Sequence, residues 1–289
     1  MEIVNRVSRM AAIANKNLVT DVKTGLVPTS GAIHTGDLSL IRAARRMADL
    51  AVVSIFVNRL EFPGDREYEQ YPRDITADVD LLRTENVDYV FIPQDDEMYP
   101  ASFSTHVEVR KAGEAAGLPS ALFSGMATGA LKLLHLTKPS YVFYGEQDAV
   151  QAAILRRMIR DLNISAEVVV APAGREPSGL SCSGRNRLLG EPQKAAAVVF
   201  HRCLRAAEDA IGGGETHAKK ILAEMDRTFG EQPLVRLEYA VIIDPELLEP
   251  VSKIQGGVIV GVGGRIGDTF LTDAVSIDVG RLSPAGGRQ

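Results

Sequence analysis

The chain has 289 residues, 45% of them hydrophobic, which is enough for one large domain or two smaller ones with packed cores. No apolar run approaches the roughly 18 residues that a membrane span needs, and the opening MEIVNRVSRM lacks the apolar segment of a signal peptide, so we expect a cytoplasmic protein. The formal net charge of −5 argues against a general nucleic-acid binder. The two cysteines leave no second pair for a disulfide framework, and no Cys/His spacing suits a zinc site. Small molecules are the expected partners.

The first half of the chain alternates β-like runs with helical patterns, which is typical of a doubly wound parallel sheet. A strand that ends at Val27 precedes a predicted helix over residues 38–49. The unbroken apolar run LAVVSIFV (50–57) predicts a strand that is buried on both faces. Further helices are predicted at 74–86 and 149–162, and further strands at 87–93, 140–144 and 166–172. We expect four such units to form one parallel sheet in a first domain, residues 1–175.

The composition changes at residues 174–192, GREPSGLSCSGRNRLLGEP, which are rich in Gly, Ser, Pro and Arg and have no apolar period. This stretch is typical of a functional loop at a domain junction. Beyond it the pattern predicts helices near 193–211 and 215–229, then strands at 235–243, 256–267 and 268–279. The order predicts a smaller α+β second domain, residues 176–289.

The first candidate for a binding site is PTSGAIHTGDLSL, residues 28–40, which follows the first strand. In an open α/β sheet, ligands bind where strands end and helix N-termini present unpaired N–H groups. Gly31 and Gly36 would let the backbone approach a ligand, and His34 would contact phosphate or a reacting carboxylate. The alternative is structural: the glycines form a turn, and Asp37 caps a helix that begins at Leu38.

Three further polar segments follow predicted strands. Asn58 and Glu61 come after the second strand and would hydrogen-bond a polar substrate. GEQD (145–148) follows a later strand, with Gln151 on the same helical face as Asp148. The loop SCSGRNR (181–187) supplies hydroxyls and two guanidinium groups, and Arg185 is the candidate phosphate ligand because its planar fork binds two oxygens at once.

These segments resemble the motifs of one enzyme family. The motifs that carry the resemblance are PTSGAIHTGDLSLIRAAR, VSIFVNRLEF, YPRDITADVDLL, VDYVFIPQDDEMYP, VFYGEQDAVQAAILRRMIRDLNI and SGLSCSGRNRLL. Together with IIDPELLEPV and GDTFLTDAV they cover nearly the whole chain. The chain is therefore similar to the pantothenate synthetase (pantoate–β-alanine ligase) family of the nucleotidyltransferase superfamily.

The resemblance implies a Rossmann-like doubly wound sheet of the nucleotidyltransferase type and a two-step reaction with ATP and Mg²⁺. A carboxylate attacks the α-phosphate to give an acyl-adenylate and pyrophosphate, and an amine then displaces AMP. The resemblance also implies a homodimer. It implies catalytic roles for His34, Asp37 and Arg185, substrate binding by Asn58, Glu61 and Gln151, and nucleotide binding by Ser30, Gly31, Gly36, Gly145, Gln147, Asp148, Cys182, Ser183 and Gly184. No residues are assigned as metal ligands.

The chain departs from the family pattern in its phosphate-facing groups. Asp37 stands where the family has its second signature histidine, Gln147 where it has a lysine, and Gly184 where it has a serine. Ser30 and Cys182 both replace methionines of the family. Loss of one donor to a transition state costs about 10²–10³ in rate, so several losses would silence adenylation unless something compensates. Asp37 has two alternative roles: it binds Mg²⁺, or it only caps the helix.

The acid pocket departs as well, because Glu61 replaces a glutamine of the family whereas Gln151 is retained. A carboxylate would repel an anionic acid but would pair with an amino-bearing one, so we hypothesise an acid other than pantoate. The structural alternative is that Glu61 points to solvent. Two other functions stay open: a weakened homologue that binds nucleotide or a partner without ligating, and a group transferase that uses the same cleft without ATP.

Overall fold

The computed structural model describes residues 1–62, 64–110, 120–172 and 174–279. Its larger sheet has six parallel strands: β1 (Glu2–Val4), β2 (Thr24–Thr29), β3 (Leu50–Ile55), β4 (Tyr89–Phe91), β5 (Tyr141–Gly145) and β6 (Glu167–Ala171). The spatial order of the strands is β1-β4-β3-β2-β5-β6. After β2 the chain adds β3 and β4 on one side of it, and later adds β5 and β6 on its other side. The predicted doubly wound fold is confirmed, and this reversal of direction is the place where such sheets bind ligands.

Helices cover both faces of this sheet. They are α1 (Val7–Val19), α2 (Thr35–Met47), α3 (Asp65–Gln70), α4 (Ile75–Thr84), α5 (Asp95–Met98), α6 (Ser120–Thr137) and α7 (Ala149–Asp161). Successive residues of β3 belong to opposite cores: Val52 packs with Met10 and Leu155, and Val53 packs with Ile41 and Leu82. The strand is apolar throughout because side chains alternate between two buried faces.

The second half of the chain adds the predicted smaller α+β unit. Two helices, α8 (Glu191–Gly212) and α9 (Ala218–Gly230), precede the antiparallel strands β7 (Arg236–Ile243), β8 (Val258–Ile266) and β9 (Thr269–Ile277). One face of this sheet packs on α8 and α9 through Val260, and the other packs on α7 through Ile259. The boundary at residues 175/176 stays a prediction. Among the described residues, no helix combines the length and apolarity that a bilayer crossing requires.

Several predicted boundaries were wrong. The strand predicted over 50–57 ends at Ile55, and the helix predicted over 38–49 begins at Thr35. The sequence analysis also missed β1, α1 and α6. The earlier start of α2 matters for the site, because it moves Asp37 into the first turn of the helix.

A strained turn joins β2 to α2. Gly31 and Ala32 both have positive φ angles, +78° and +53°, a region in which an ordinary side chain is disfavoured. Asp78 of α4 holds this turn, because its two carboxylate oxygens accept hydrogen bonds from the backbone N–H groups of Ala32 (2.9 Å) and Ile33 (2.8 Å). A Cβ on residue 31 would lie 2.9 Å from the same carboxylate, so glycine is required there.

We predict that Asp78→Ala destabilises the protein by about 3 kcal/mol, since it leaves two buried N–H groups without acceptors. Chemical denaturation followed by circular dichroism measures the free energy of unfolding. Asp80→Ala is the matched control: Asp80 lies on the same helix but is exposed and pairs with the exposed Arg83, so its loss is expected to cost no more than about 0.5 kcal/mol. Equal effects of the two substitutions would contradict this account of the turn.

Candidate active site

One cavity lies at the carboxyl ends of β2, β3 and β5, and residues of the 181–186 loop and of β9 line its other side. All but one of the site residues predicted from the sequence line this cavity: Ser30, Gly31, His34, Asp37, Asn58, Glu61, Gly145, Gln147, Asp148, Gln151, Cys182, Ser183, Gly184 and Arg185. They come from four separate stretches of the chain. Their convergence follows from the parallel sheet, because strand ends of one direction meet at one edge.

The exception is Gly36, which does not line the cavity. A Cβ on Gly174 would lie 2.6 Å from the Cα of Gly36, and a Cβ on Gly36 would lie 3.1 Å from the ring of His34. The lack of a side chain at Gly174 therefore allows this residue to lie close to the first turn of α2. This contact brings Cys182 to the cavity, where its Sγ lies 3.4 Å from Oγ1 of Thr35.

His34 and Asp37 form a reciprocal cap at the start of α2. The ring Nδ1 of His34 accepts a hydrogen bond from the backbone N–H of Asp37 (3.3 Å), and the Asp37 carboxylate accepts one from the backbone N–H of His34 (3.0 Å). The prediction that Asp37 caps a helix beginning at Leu38 was wrong in detail: His34 is the N-cap, and Asp37 is the third residue of the helix. Asp37 thus satisfies a helix-end donor while its side chain borders the cavity.

Burial shifts the pKa values of both groups towards their neutral forms. Desolvation, reinforced by the nearby charge of Arg187, lowers the pKa of His34 to about 4. Desolvation raises the pKa of Asp37 to about 7. His34 is therefore neutral at pH 7, and since its Nδ1 accepts a hydrogen bond, its Nε2 carries the proton.

The acid pocket predicted around Asn58 and Glu61 is internally bonded. The Asn58 amide donates to Oε1 of Glu61 (2.7 Å) and to the carbonyl of Gly125 (3.0 Å), so both of its N–H groups are engaged. Burial raises the pKa of Glu61, and the bond from Asn58 opposes that rise. The alternative that Glu61 points to solvent was wrong, because its carboxyl borders the cavity.

Asp148 is the centre of a second polar cluster. Its two oxygens accept hydrogen bonds from the side-chain amides of Gln147 and Gln151, each at 3.3 Å. Burial, followed by the nearby charge of Asp37, raises the pKa of Asp148 to about 7. Oε1 of Gln147 has no hydrogen-bond partner among the described residues.

The loop after β6 lines the remaining side of the cavity. Ser183 caps a short 3₁₀ helix, Gly184–Leu188, by accepting from the backbone N–H of Arg185 (3.2 Å). Gly184 leaves space for the hydroxyl group of Tyr71, because a Cβ at position 184 would collide with it unless the tyrosine side chain moved. Arg185 donates through Nε to Glu67 (3.1 Å) and stacks on the ring of Phe62.

Sequence reasoning missed Tyr71 and Phe270, which also line the cavity. Tyr71 opens the motif YPRDITADVDLL, so its signal was present but no role was given to it. Phe270 belongs to β9, and only the fold brings that strand to the cavity.

The charge balance of the cavity is unusual for a phosphate site. Three carboxyl groups line it, those of Asp37, Glu61 and Asp148. Among the lining side chains of the described residues, Arg185 is the single lysine or arginine. The described part of the chain holds no group of three or more His, Cys, Asp or Glu side chains arranged to bind a metal ion.

Comparison with known proteins identifies the family. The family model for pantoate-beta-alanine ligase matches residues 2–276. A pantothenate synthetase of Thermosipho africanus is 40% identical over 280 residues, which is 96% of this chain and 100% of the relative. The chain belongs to the pantoate–β-alanine ligase family.

Two solved structures of family members agree with this assignment. The pantothenate synthetase of Thermus thermophilus superposes with a TM-score of 0.85 at 35% identity and covers 96% of this chain and 99% of its own. The pantoate-beta-alanine ligase of Francisella tularensis, complexed with beta-gamma ATP and beta-alanine, superposes with a TM-score of 0.73 at 28% identity. It covers 97% of this chain and 98% of its own.

We predict that Asp37→Asn changes how stability depends on pH. An unfolded aspartate titrates near 3.8 and the folded one near 7, so the folded state binds the extra proton between these values and stability falls as pH rises through them. Asparagine keeps the cap but does not titrate. The free energy of unfolding of Asp37→Asn relative to wild type therefore rises by about 1 kcal/mol for each pH unit of increase in that window.

Denaturant titrations between about pH 4 and pH 7 measure this difference directly. His34 contributes with the opposite sign, because the stability that comes from its lowered pKa is lost as pH falls. Asp80→Asn, at an exposed position, is the control and should run parallel to wild type. Parallel curves for Asp37→Asn would contradict the buried state of Asp37.

Proposed function

We propose that this protein is an ATP-dependent ligase that joins a carboxylic acid to an amine through an acyl-adenylate. A carboxylate oxygen of the acid attacks the α-phosphate of ATP, the bond to the β-phosphate breaks, and pyrophosphate leaves. The amine then attacks the acyl carbon, AMP leaves, and the amine loses a proton as the amide forms. The observation that carries the proposal is the convergence of four sequence segments on one cavity in a chain that matches ligases over nearly its whole length.

The proposed roles follow from chemistry and position. Arg185 binds phosphate oxygens, since guanidinium is the charged donor of the cavity. The N-terminus of α2 adds a positive electrostatic field at the same place. His34 is neutral and donates through Nε2–H. Such a site works by holding reactants together and by stabilising charge on the transferring phosphate.

The residues fit Mg²⁺ only as an ion that arrives with the nucleotide. Mg²⁺ in such sites is held by one or two carboxylates together with phosphate oxygens, and Asp37 and Asp148 both border the cavity. The charge of Asp37 contributes to the raised pKa of Asp148, so the two carboxyls interact electrostatically. The bound ion would neutralise phosphate charge beside these two carboxyls.

We further propose that the acid substrate carries an amino group. A carboxylate at Glu61 repels a second anion but pairs with an ammonium group, and the neighbouring Asp148 adds to that preference. The homodimer and the cytoplasmic location implied by the sequence analysis remain proposals.

Incubation with ATP, Mg²⁺, an amine and a panel of acids tests the ligase directly. We expect AMP and pyrophosphate in equal amounts, dependent on the acid. Nucleotide binding without any release across the panel would instead favour the weakened homologue. Product formation from an acyl donor without ATP would favour the group transferase.

We predict that Glu61→Gln reverses the acid preference. Wild type is expected to use an amino acid better than pantoate, and the neutral glutamine should shift the ratio of kcat/KM towards pantoate by about tenfold or more, because an unfavourable charge is removed. Steady-state pyrophosphate release with the two acids measures the ratio. Glu69→Gln, at an exposed position of α3, is the control. A wild type that prefers pantoate, with an unchanged ratio in Glu61→Gln, would reject the proposed acid.

A further inference from the structure

A buried carboxylate outside the cavity holds the guanidinium of Arg185. Glu67 lies on α3 and is only 5% exposed. Its Oε1 accepts a hydrogen bond from Nε of Arg185 (3.1 Å) and lies 3.5 Å from the backbone N of Phe270 on β9. On its other side, the guanidinium carbon of Arg185 lies 4.9 Å from the ring centre of Phe62. Arg185 is thus held by Glu67 and Phe62, which lie close together in one stretch of the chain, 118 residues away from Arg185 in the case of Glu67.

The hydrogen bond to Glu67 uses Nε of Arg185 and leaves the two terminal nitrogens of the guanidinium available. Within the described residues, no hydrogen bond involves the two terminal nitrogens of this guanidinium, and Oε2 of Glu67 has no hydrogen-bond partner. A guanidinium held by Nε and stacked on a ring has its plane defined. Its two terminal N–H₂ groups can then meet two oxygens of one ligand group.

The charges of the cavity explain why such an anchor is needed. Arg185 interacts electrostatically with Glu61 and Asp148, since its charge opposes the rise in both of their pKa values. Without a competing partner, these carboxyls would draw the guanidinium towards themselves and occupy its donors. Glu67 supplies the competing attraction from outside the cavity.

Glu67 also ties this anchor to the second sheet. Its Oε2 lies 3.9 Å from a terminal nitrogen of Arg265 on β8, and its Oε1 faces the backbone of β9. The orientation of Arg185 and the seating of the β8–β9 hairpin therefore depend on the same carboxylate.

We propose that Glu67 is a positioning residue: it holds the Arg185 guanidinium away from the cavity carboxyls so that its terminal nitrogens bind the phosphate oxygens of ATP. This inference rests on the proposed function in one respect, that ATP is the nucleotide bound in the cavity.

A double-mutant cycle on ATP affinity tests the inference. The full-length protein and the variants Glu67→Ala, Arg185→Ala and the double variant are titrated with ATP and Mg²⁺ by calorimetry. We expect Glu67→Ala and Arg185→Ala each to weaken binding about tenfold or more, and the double variant to bind no more weakly than Arg185→Ala alone. If Glu67 had only a structural role, Glu67→Ala would weaken ATP binding by the same factor in the Arg185→Ala background as in the wild type, and the cycle would show no coupling.

Two further variants guard the test against misfolding and nonspecific charge effects. Glu67→Gln keeps the volume and an acceptor oxygen, so it should fold and lose less affinity than Glu67→Ala. Glu238→Gln is the matched control: Glu238 accepts from Nε of Arg265 on the same hairpin (2.8 Å) but does not touch Arg185, so ATP affinity should be unchanged.

The outcomes separate this inference from the proposed ligase. Additive losses in the cycle, or unchanged affinity in Glu67→Ala, would overturn the role of Glu67 even if pyrophosphate release proceeds. Coupled losses in a protein that binds ATP but releases no pyrophosphate with any acid would support Glu67 and refute the ligase. A wild type that does not bind ATP would overturn both.

Discussion

The site depends on the two hydrogen bonds by which the Asp78 carboxylate holds the turn after β2. Two backbone N–H groups of this left-handed turn have no other acceptor among the described residues, and the carboxylate that satisfies them comes from α4 on the neighbouring unit. This contact sets where α2 begins. The start of α2 in turn places His34 and Asp37 against the ends of β2 and β5, where the remaining cavity residues arrive on their own strands.

Carboxyl groups outnumber lysine and arginine side chains in the cavity, although the chain belongs to a family of ATP-dependent ligases. Burial raises the pKa of Asp37 and of Asp148 to about 7, so near neutral pH a part of this charge is removed by protonation. The cation that arrives with a nucleotide would offset what remains. The residues that depart from the family pattern therefore change the electrostatics of the cavity while the fold around it is retained.

Much of the fold was predictable from the sequence, and the reasons are local. Buried parallel strands such as β3 are unbroken apolar runs, and the polar segments that follow them indicated where cavity residues lie. The family resemblance then assigned the individual nucleotide-binding residues. Two of the missed elements lacked such signals: β1 has only three residues, and α6 is too uniformly apolar to show a helical face. The start of α2 was misplaced because a histidine cap is not a common helix-start signal.

Contacts across long sequence separations were beyond prediction. Nothing near Glu67 in the sequence indicates that it pairs with Arg185, since 118 residues separate them and only the packing of α3 under the β8–β9 hairpin brings them together. The same holds for Phe270. Such contacts determine how the cavity side chains are held, whereas the sequence pattern indicates only which side chains are there.

Oxygen transfer is the most direct test of the central claim that this cavity activates a carboxyl group with a nucleotide. The protein is incubated with ATP, Mg²⁺, an amine and an acid whose carboxylate carries oxygen-18, and the nucleotide product is analysed by mass spectrometry. Attack of the carboxylate on the α-phosphate predicts one labelled oxygen in AMP. Label in inorganic phosphate with ADP as the product, or unlabelled AMP during turnover, would contradict the account.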